Sequence, residues 1–172
     1  MSLVREVLLF SAIAFIAQGV RAADRKFSGT WSIDLRTPEQ KAQNADCGEA
    51  SFVLKQRGSA ITGSHTMATV GCGRLNEGGE GTVKGQVVGD RALLLVTSGR
   101  NGAVVKGVAT LKNGGLFWET KEEVKAGEPE GDSPLILGKG WLSNVCHANK
   151  PPNPSIELTC PGKPGHAAHV KR

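Results

Sequence analysis

The side chains in this 172-residue chain that could do chemistry are a histidine in a strand-like run, three tryptophans, two turn arginines and four cysteines. His65 lies in A-I-T-G-S-H-T-M-A-T-V and by strand parity shares a face with Ile61, Gly63, Met67 and Thr69. An inward imidazole there, with Met67 beside it, could ligate haem iron or hydrogen-bond a bound molecule. A lone His more often occupies a rim or hydrogen-bonded position that holds no ligand. Trp31 and Trp118 fall on apolar strand faces, Trp118 with Leu116 and Val124, so each is either core or a stacking wall for a ring-shaped ligand. Trp141 sits in a run whose two faces are both mixed. Arg74, in V-G-C-G-R-L-N-E-G-G-E-G, and Arg100, in S-G-R-N-G, could offer guanidinium groups to an anionic ligand or a partner protein.

Several chemistries are disfavoured by the same residues. No nucleophile and base stand in a recognisable arrangement, so no catalytic residue is assigned and the chain is read as a non-enzyme. Glu119 and Glu123 alternate with Lys121 and Lys125 as on a solvated outer face, which is not the flanking carboxylate pair of a glycosidase. The glycine-rich run lacks the Lys-Ser/Thr ending of a phosphate-binding loop. The cysteines form no C-x-x-C pair for zinc, and His147, His166 and His169 lie in a Pro-rich tail without fixed geometry, so no metal and no cofactor are expected.

The first 22 residues carry Arg5, an apolar run from Val7 to Ala17 and small residues before Ala23, the three parts of a signal peptide cut after Ala22. The run falls short of a bilayer span, so no membrane span is expected after cleavage. The chain is expected to be secreted or periplasmic. There an even cysteine number reads as disulfides, and joining neighbours gives Cys47–Cys72 and Cys146–Cys160. The net charge of +5 comes from Lys and Arg scattered among Asp and Glu. That distribution gives nucleic-acid binding no footing.

These residues must be held by strands. From Phe27, the alternation of Phe27, Gly29, Trp31, Ile33 and Leu35 against polar neighbours reads as a half-buried strand. Pro38 ends it, and a polar connection with room for a short helical turn follows. Seven further strand-like runs come after, separated by R-G-S, the five-glycine loop around Arg74, G-D, G-R-N-G, Asn113-Gly114 and the acidic loop A-G-E-P-E-G-D-S-P. Asn101-Gly102 and Asn113-Gly114 both offer the positive φ of two-residue hairpin turns. Eight strands joined by short turns predict an all-β, eight-stranded antiparallel up-and-down barrel over residues 23–142. A two-sheet sandwich is the alternative. Residues 143–172 read as an irregular Pro-rich tail stapled by Cys146–Cys160.

A strand opening Gly29-Thr30-Trp31, followed by a Gly-turned meander in an exported chain, resembles the calycin superfamily of lipocalins and avidin-like barrels. G-S-A-I-T-G-S-H (Gly58 to His65) and T-V-K-G-Q-V (Thr82 to Val87) are similar to avidin-like strands. The resemblance covers roughly residues 27–142 in layout, and it implies that Trp31 packs across one end of the barrel. With no Tyr in the chain, the avidin pocket is not reproduced. The function expected first is that of a non-catalytic binder of a small molecule through Trp31, His65, Met67 and Trp118; the alternative is an interaction or inhibitor module directed at an envelope protein. In the second, a packed barrel presents the loops around Arg74 and Arg100.

Overall fold

The structure, a computed structural model, describes residues 26–129 and 135–145. The expected signal segment and the Cys146–Cys160 pair lie outside the described residues. Eight strands follow one another around a closed barrel in chain order: β1 (Gly29–Asp34), β2 (Cys47–Arg57), β3 (Ala60–Val70), β4 (Leu75–Val88), β5 (Arg91–Thr97), β6 (Val104–Lys112), β7 (Gly115–Lys125) and β8 (Lys139–Asn144). Every pairing is antiparallel. The seam is short: Trp31 and Ser32 face Asn144 and Ser143, and the Val145 amide donates to the Thr30 carbonyl at 2.9 Å. Closure leaves no strand edge.

Two-residue parity decides which side chains go inside. Trp31 faces Phe52 across β1 and β2, Phe52 faces His65, and His65 faces Gly78, so one row of the interior comes from four consecutive strands. Phe52 and Trp118 meet across the lumen with ring centroids 5.1 Å apart and planes tilted by 54°. Gly107 on β6 leaves room for that indole, because a β-carbon there would overlap the Trp118 ring atoms. The lumen is thus filled with Trp31, Phe52, Met67, Val83, Leu94, Val105, Leu116, Trp118 and Leu142.

The two ends differ. At the hairpin end, two-residue turns at Gly58-Ser59, Gly89-Asp90 and Asn113-Gly114 join β2 to β3, β4 to β5 and β6 to β7. Asn113 and Gly114 have φ of 52° and 76°, the left-handed pair that this turn requires. The loop end carries the longer connections. Between β1 and β2 lies α1 (Pro38–Ala42), closed by a capping box in which Gln40 N donates to Thr37 Oγ1 and Thr37 N donates to Gln40 Oε1. The Cys47–Cys72 disulfide joins the start of β2 to the β3–β4 turn.

Four local expectations change. The five-glycine segment is a loop only as far as Arg74. From Leu75 it is the first half of the 14-residue β4, with a register irregularity opposite Gly63 and His65. The Asn101-Gly102 turn has positive φ only at Gly102, and the connection is longer, because Ser98 N bonds Ala103 O and the Asn101 side chain accepts from Ala103 N. Val124 is exposed rather than inward with Trp118, because two register shifts along the β6–β7 pairing break the parity. β8 also starts only at Lys139 and runs to Asn144, two residues beyond the expected boundary.

Candidate functional site

The four residues expected to line the lumen all face it. Trp31, His65, Met67 and Trp118 are at most 3% exposed. They are excluded from solvent by one another, by Phe52, and by a crossing segment that runs from Leu135 to Gly138 over the loop end. Its Leu137 amide donates to Met67 Sδ at 3.4 Å, and its Leu137 carbonyl accepts from Trp118 Nε1 at 3.1 Å. The Gly138 carbonyl accepts from Thr120 N at 2.8 Å. Leu135 and Leu137 thereby become part of the core although they precede β8. Trp31 sits towards the hairpin end, its indole N–H donating to the Phe27 carbonyl at 2.9 Å. Trp141, unplaced by parity, lies on the outer wall against Phe117 at 4.9 Å between ring centroids.

His65 has partners that the sequence pattern did not reveal. Its Nε2 lies 3.1 Å from Asn76 Oδ1, the Asn76 amide donates to Ser98 Oγ at 3.0 Å, and Gly99 N donates to Asn76 Oδ1 at 3.0 Å. The orientation of the Asn76 amide follows from this network, since the Gly99 N–H must meet an oxygen. His65 Nε2 therefore carries the proton. Nδ1 stands 3.4 Å from Thr82 Oγ1, whose own proton is directed to the Gly79 carbonyl at 2.7 Å. Burial pushes the His65 pKa below its ordinary value, opposed in part by the Asn76 hydrogen bond, and keeps the ring neutral.

This buried row ends at a surface turn. Ser98 Oγ also accepts from the amides of Arg100 and Asn101 at 3.2 and 3.4 Å. Gly99 lies against the Glu77 carbonyl, where a side chain would not fit. The Asn101 carbonyl accepts from Glu128 N at 2.9 Å, which ties the turn to the β7–β8 connection. The turn bearing Arg100 is thus fixed from inside the barrel. Arg74 is held differently, with its amide donating to Thr69 Oγ1 at 2.9 Å and its carbonyl accepting from Thr69 N at 3.0 Å beside the Cys47–Cys72 disulfide. Arg36 and Lys41 both pair with Asp34 on the same rim, and the Arg36 hydrogen bond is the largest influence holding the Asp34 carboxyl well below the usual range.

Asn76 and Ser98 were missed because each lies in a stretch that reads as a glycine turn. The available signal was the alternation of Leu75, Asn76, Glu77 and Gly78, which continues β4 backwards through the glycines. Among the described residues, no three His, Cys, Asp or Glu side chains come together as metal ligands. Comparison with known protein families, curated proteins and solved structures finds no match.

Proposed function

We propose that this chain is an exported, non-catalytic calycin-like barrel that binds another protein through its loop end. The observation that carries this reading is the use of the interior: the lumen holds Phe52 against Trp118 and is crossed by Leu135–Gly138, which bonds Trp118 and Met67, while the buried His65–Asn76–Ser98 row anchors the Arg100 turn. Fixing a loop before contact lowers the ordering cost of association. The disulfide at Cys47–Cys72 and the capped α1 stiffen the neighbouring loops in the same way. The Cys47–Cys72 bond is also compatible with an oxidising compartment. The partner face is expected to include Arg100, Arg74 and Arg36, groups suited to carboxylates.

One observation favours a second reading, a small molecule inside the barrel. His65, Asn76 and Ser98 form a buried polar cluster, and a ligand entering from the loop end would meet it once Leu135–Gly138 moved aside.

Site-specific photo-crosslinking in the producing cell separates the two. A crosslinker at Arg100 is expected to trap one protein partner, whereas one at Lys55 on the β2 wall traps none. Native mass spectrometry of the recovered protein should then give the bare chain mass. A stoichiometric small molecule in that spectrum, with no adduct at Arg100, would transfer the assignment to the lumen.

A further inference from the structure

At the opposite pole from the Arg100 turn, the hairpin end contains a hollow of about 280 Å³ lined by Lys26, Phe27, Gln56, Gly58, Ser59, Val87 and Gly89. We infer that this hollow binds a small amphiphilic anion, a carboxylate or phosphate ester with a short apolar segment. Its chemistry is divided in the way such a molecule requires. Phe27 and Val87 provide apolar surface, and Gln56, only 5% exposed, sets a buried amide among them. That amide is held by both ends, its Oε1 accepting from Phe27 N at 3.1 Å and its Nε2 donating to Gly58 O at 2.9 Å. Ser59 and the exposed Lys26, both with polar side chains, complete the lining.

The surrounding charge has one predominant sign. The chain leading into β1 and the three hairpin turns carry Lys26, Arg57, Arg91 and Lys112, all exposed, against a single described carboxylate, Asp90. Such a collar raises the local concentration of anions. The loop end, by contrast, mixes Asp34, Glu39, Asp46 and Glu49 with Arg36, Lys41, Arg74 and Arg100. Gly58 and Gly89, both left-handed and with open space where a β-carbon would stand, keep the turn backbones bare beside the hollow. The occupant must be small, since the volume lies at the lower limit of ordinary ligand sites.

The test uses the full secreted chain labelled for amide NMR and titrated with hexanoate, hexyl phosphate, hexanol and inorganic phosphate. Saturable shifts at the Gly58, Ser59 and Gly89 amides are expected with hexanoate or hexyl phosphate. Hexanol and inorganic phosphate should bind at least about tenfold more weakly, because each lacks one half of the required chemistry. Lys26→Gln, at an exposed position, should weaken binding about tenfold while leaving the spectrum of the barrel core unchanged. Equal response to hexanol, shifts centred elsewhere, or affinity indifferent to Lys26→Gln would overturn the inference. Retention on phosphatidylglycerol vesicles with no response to the soluble anions would also overturn it, in favour of a membrane contact at this pole.

Discussion

The imidazole of His65 occupies the space that a side chain on Gly78 would need, and the two residues face each other across β3 and β4. The barrel therefore accommodates a ring on one strand by omitting a side chain on the next. Gly107 and Trp118 repeat the arrangement on the far wall. A methyl group at either glycine has to displace the ring or the backbone, which in a packed core costs on the order of 1–3 kcal/mol. Gly78→Ala is expected to lower stability in urea by about that amount. It should also speed amide exchange at Gly99, because His65 and Gly99 share Asn76. A loss of stability without faster exchange at Gly99 would disconnect the interior from the turn.

Asn76 is the hinge of that connection. Asn76→Ala removes the acceptor of both His65 Nε2 and Gly99 N and the donor to Ser98 Oγ. With buried groups left unpaired, a loss of about 2–4 kcal/mol is expected from one side chain. Ser98→Ala, which strips the Arg100 and Asn101 amides of the same acceptor, should reduce partner crosslinking at Arg100 more than it reduces stability. A drop in crosslinking matched by Val53→Ser on the outer wall would count against a role for the fixed turn.

The neutral state of His65 sets a pH dependence with a definite sign. Its folded pKa is lowered by burial, so below the unfolded value of about 6.5 the unfolded chain takes up a proton that the native state resists. Stability due to this residue is complete above that pH and is lost as the solution is acidified through it towards the folded pKa. The carboxylates held down by Arg36, Lys55 and Lys121 act in a lower window, lost as pH falls below the ordinary carboxylate range. Urea titrations of the wild-type chain and His65→Gln between pH 7.5 and 5 isolate the histidine. The variant should show a flatter profile, and identical slopes would show that His65 does not titrate on unfolding.

Reduction of Cys47–Cys72 opens a covalent loop spanning a sequence separation of 25. Loop entropy predicts a loss of about 3–4 kcal/mol, and a double Cys→Ser variant should show it as a lower denaturation midpoint. The effect should be accompanied by faster exchange around α1 and the Arg74 turn and leave the hairpin end unchanged. Equal loosening at both ends would mean that the disulfide stabilises the barrel as a whole.

Parity and turn chemistry made most of this architecture legible. The alternation from Phe27 to Leu35 placed Trp31 inside, Asn113-Gly114 specified its hairpin, and the count of eight runs predicted closure. Where the reading failed, a residue was serving a neighbour instead of its own strand. Gly78 looks like loop because its missing side chain makes room for His65 and Thr82, a relation between strands that no local pattern carries. Leu135 and Leu137 look like strand because they are apolar, yet they cover Met67 and Trp118 without joining the sheet. The candidate cluster was visible at His65 only. Asn76 and Ser98 are polar residues beside glycines, and only the register of β3, β4 and β5 brings them together.

The seam between β1 and β8 also fixes how the molecule can be held. Trp31 and Asn144 are register partners, so the chain enters the sheet and leaves it at the same pole. Any tether joined through Lys26 or through Val145 would pull on the hairpin end. The Arg100 turn and the disulfide-bound rim would then face away from the point of attachment, as the reading head of a probe faces away from its handle.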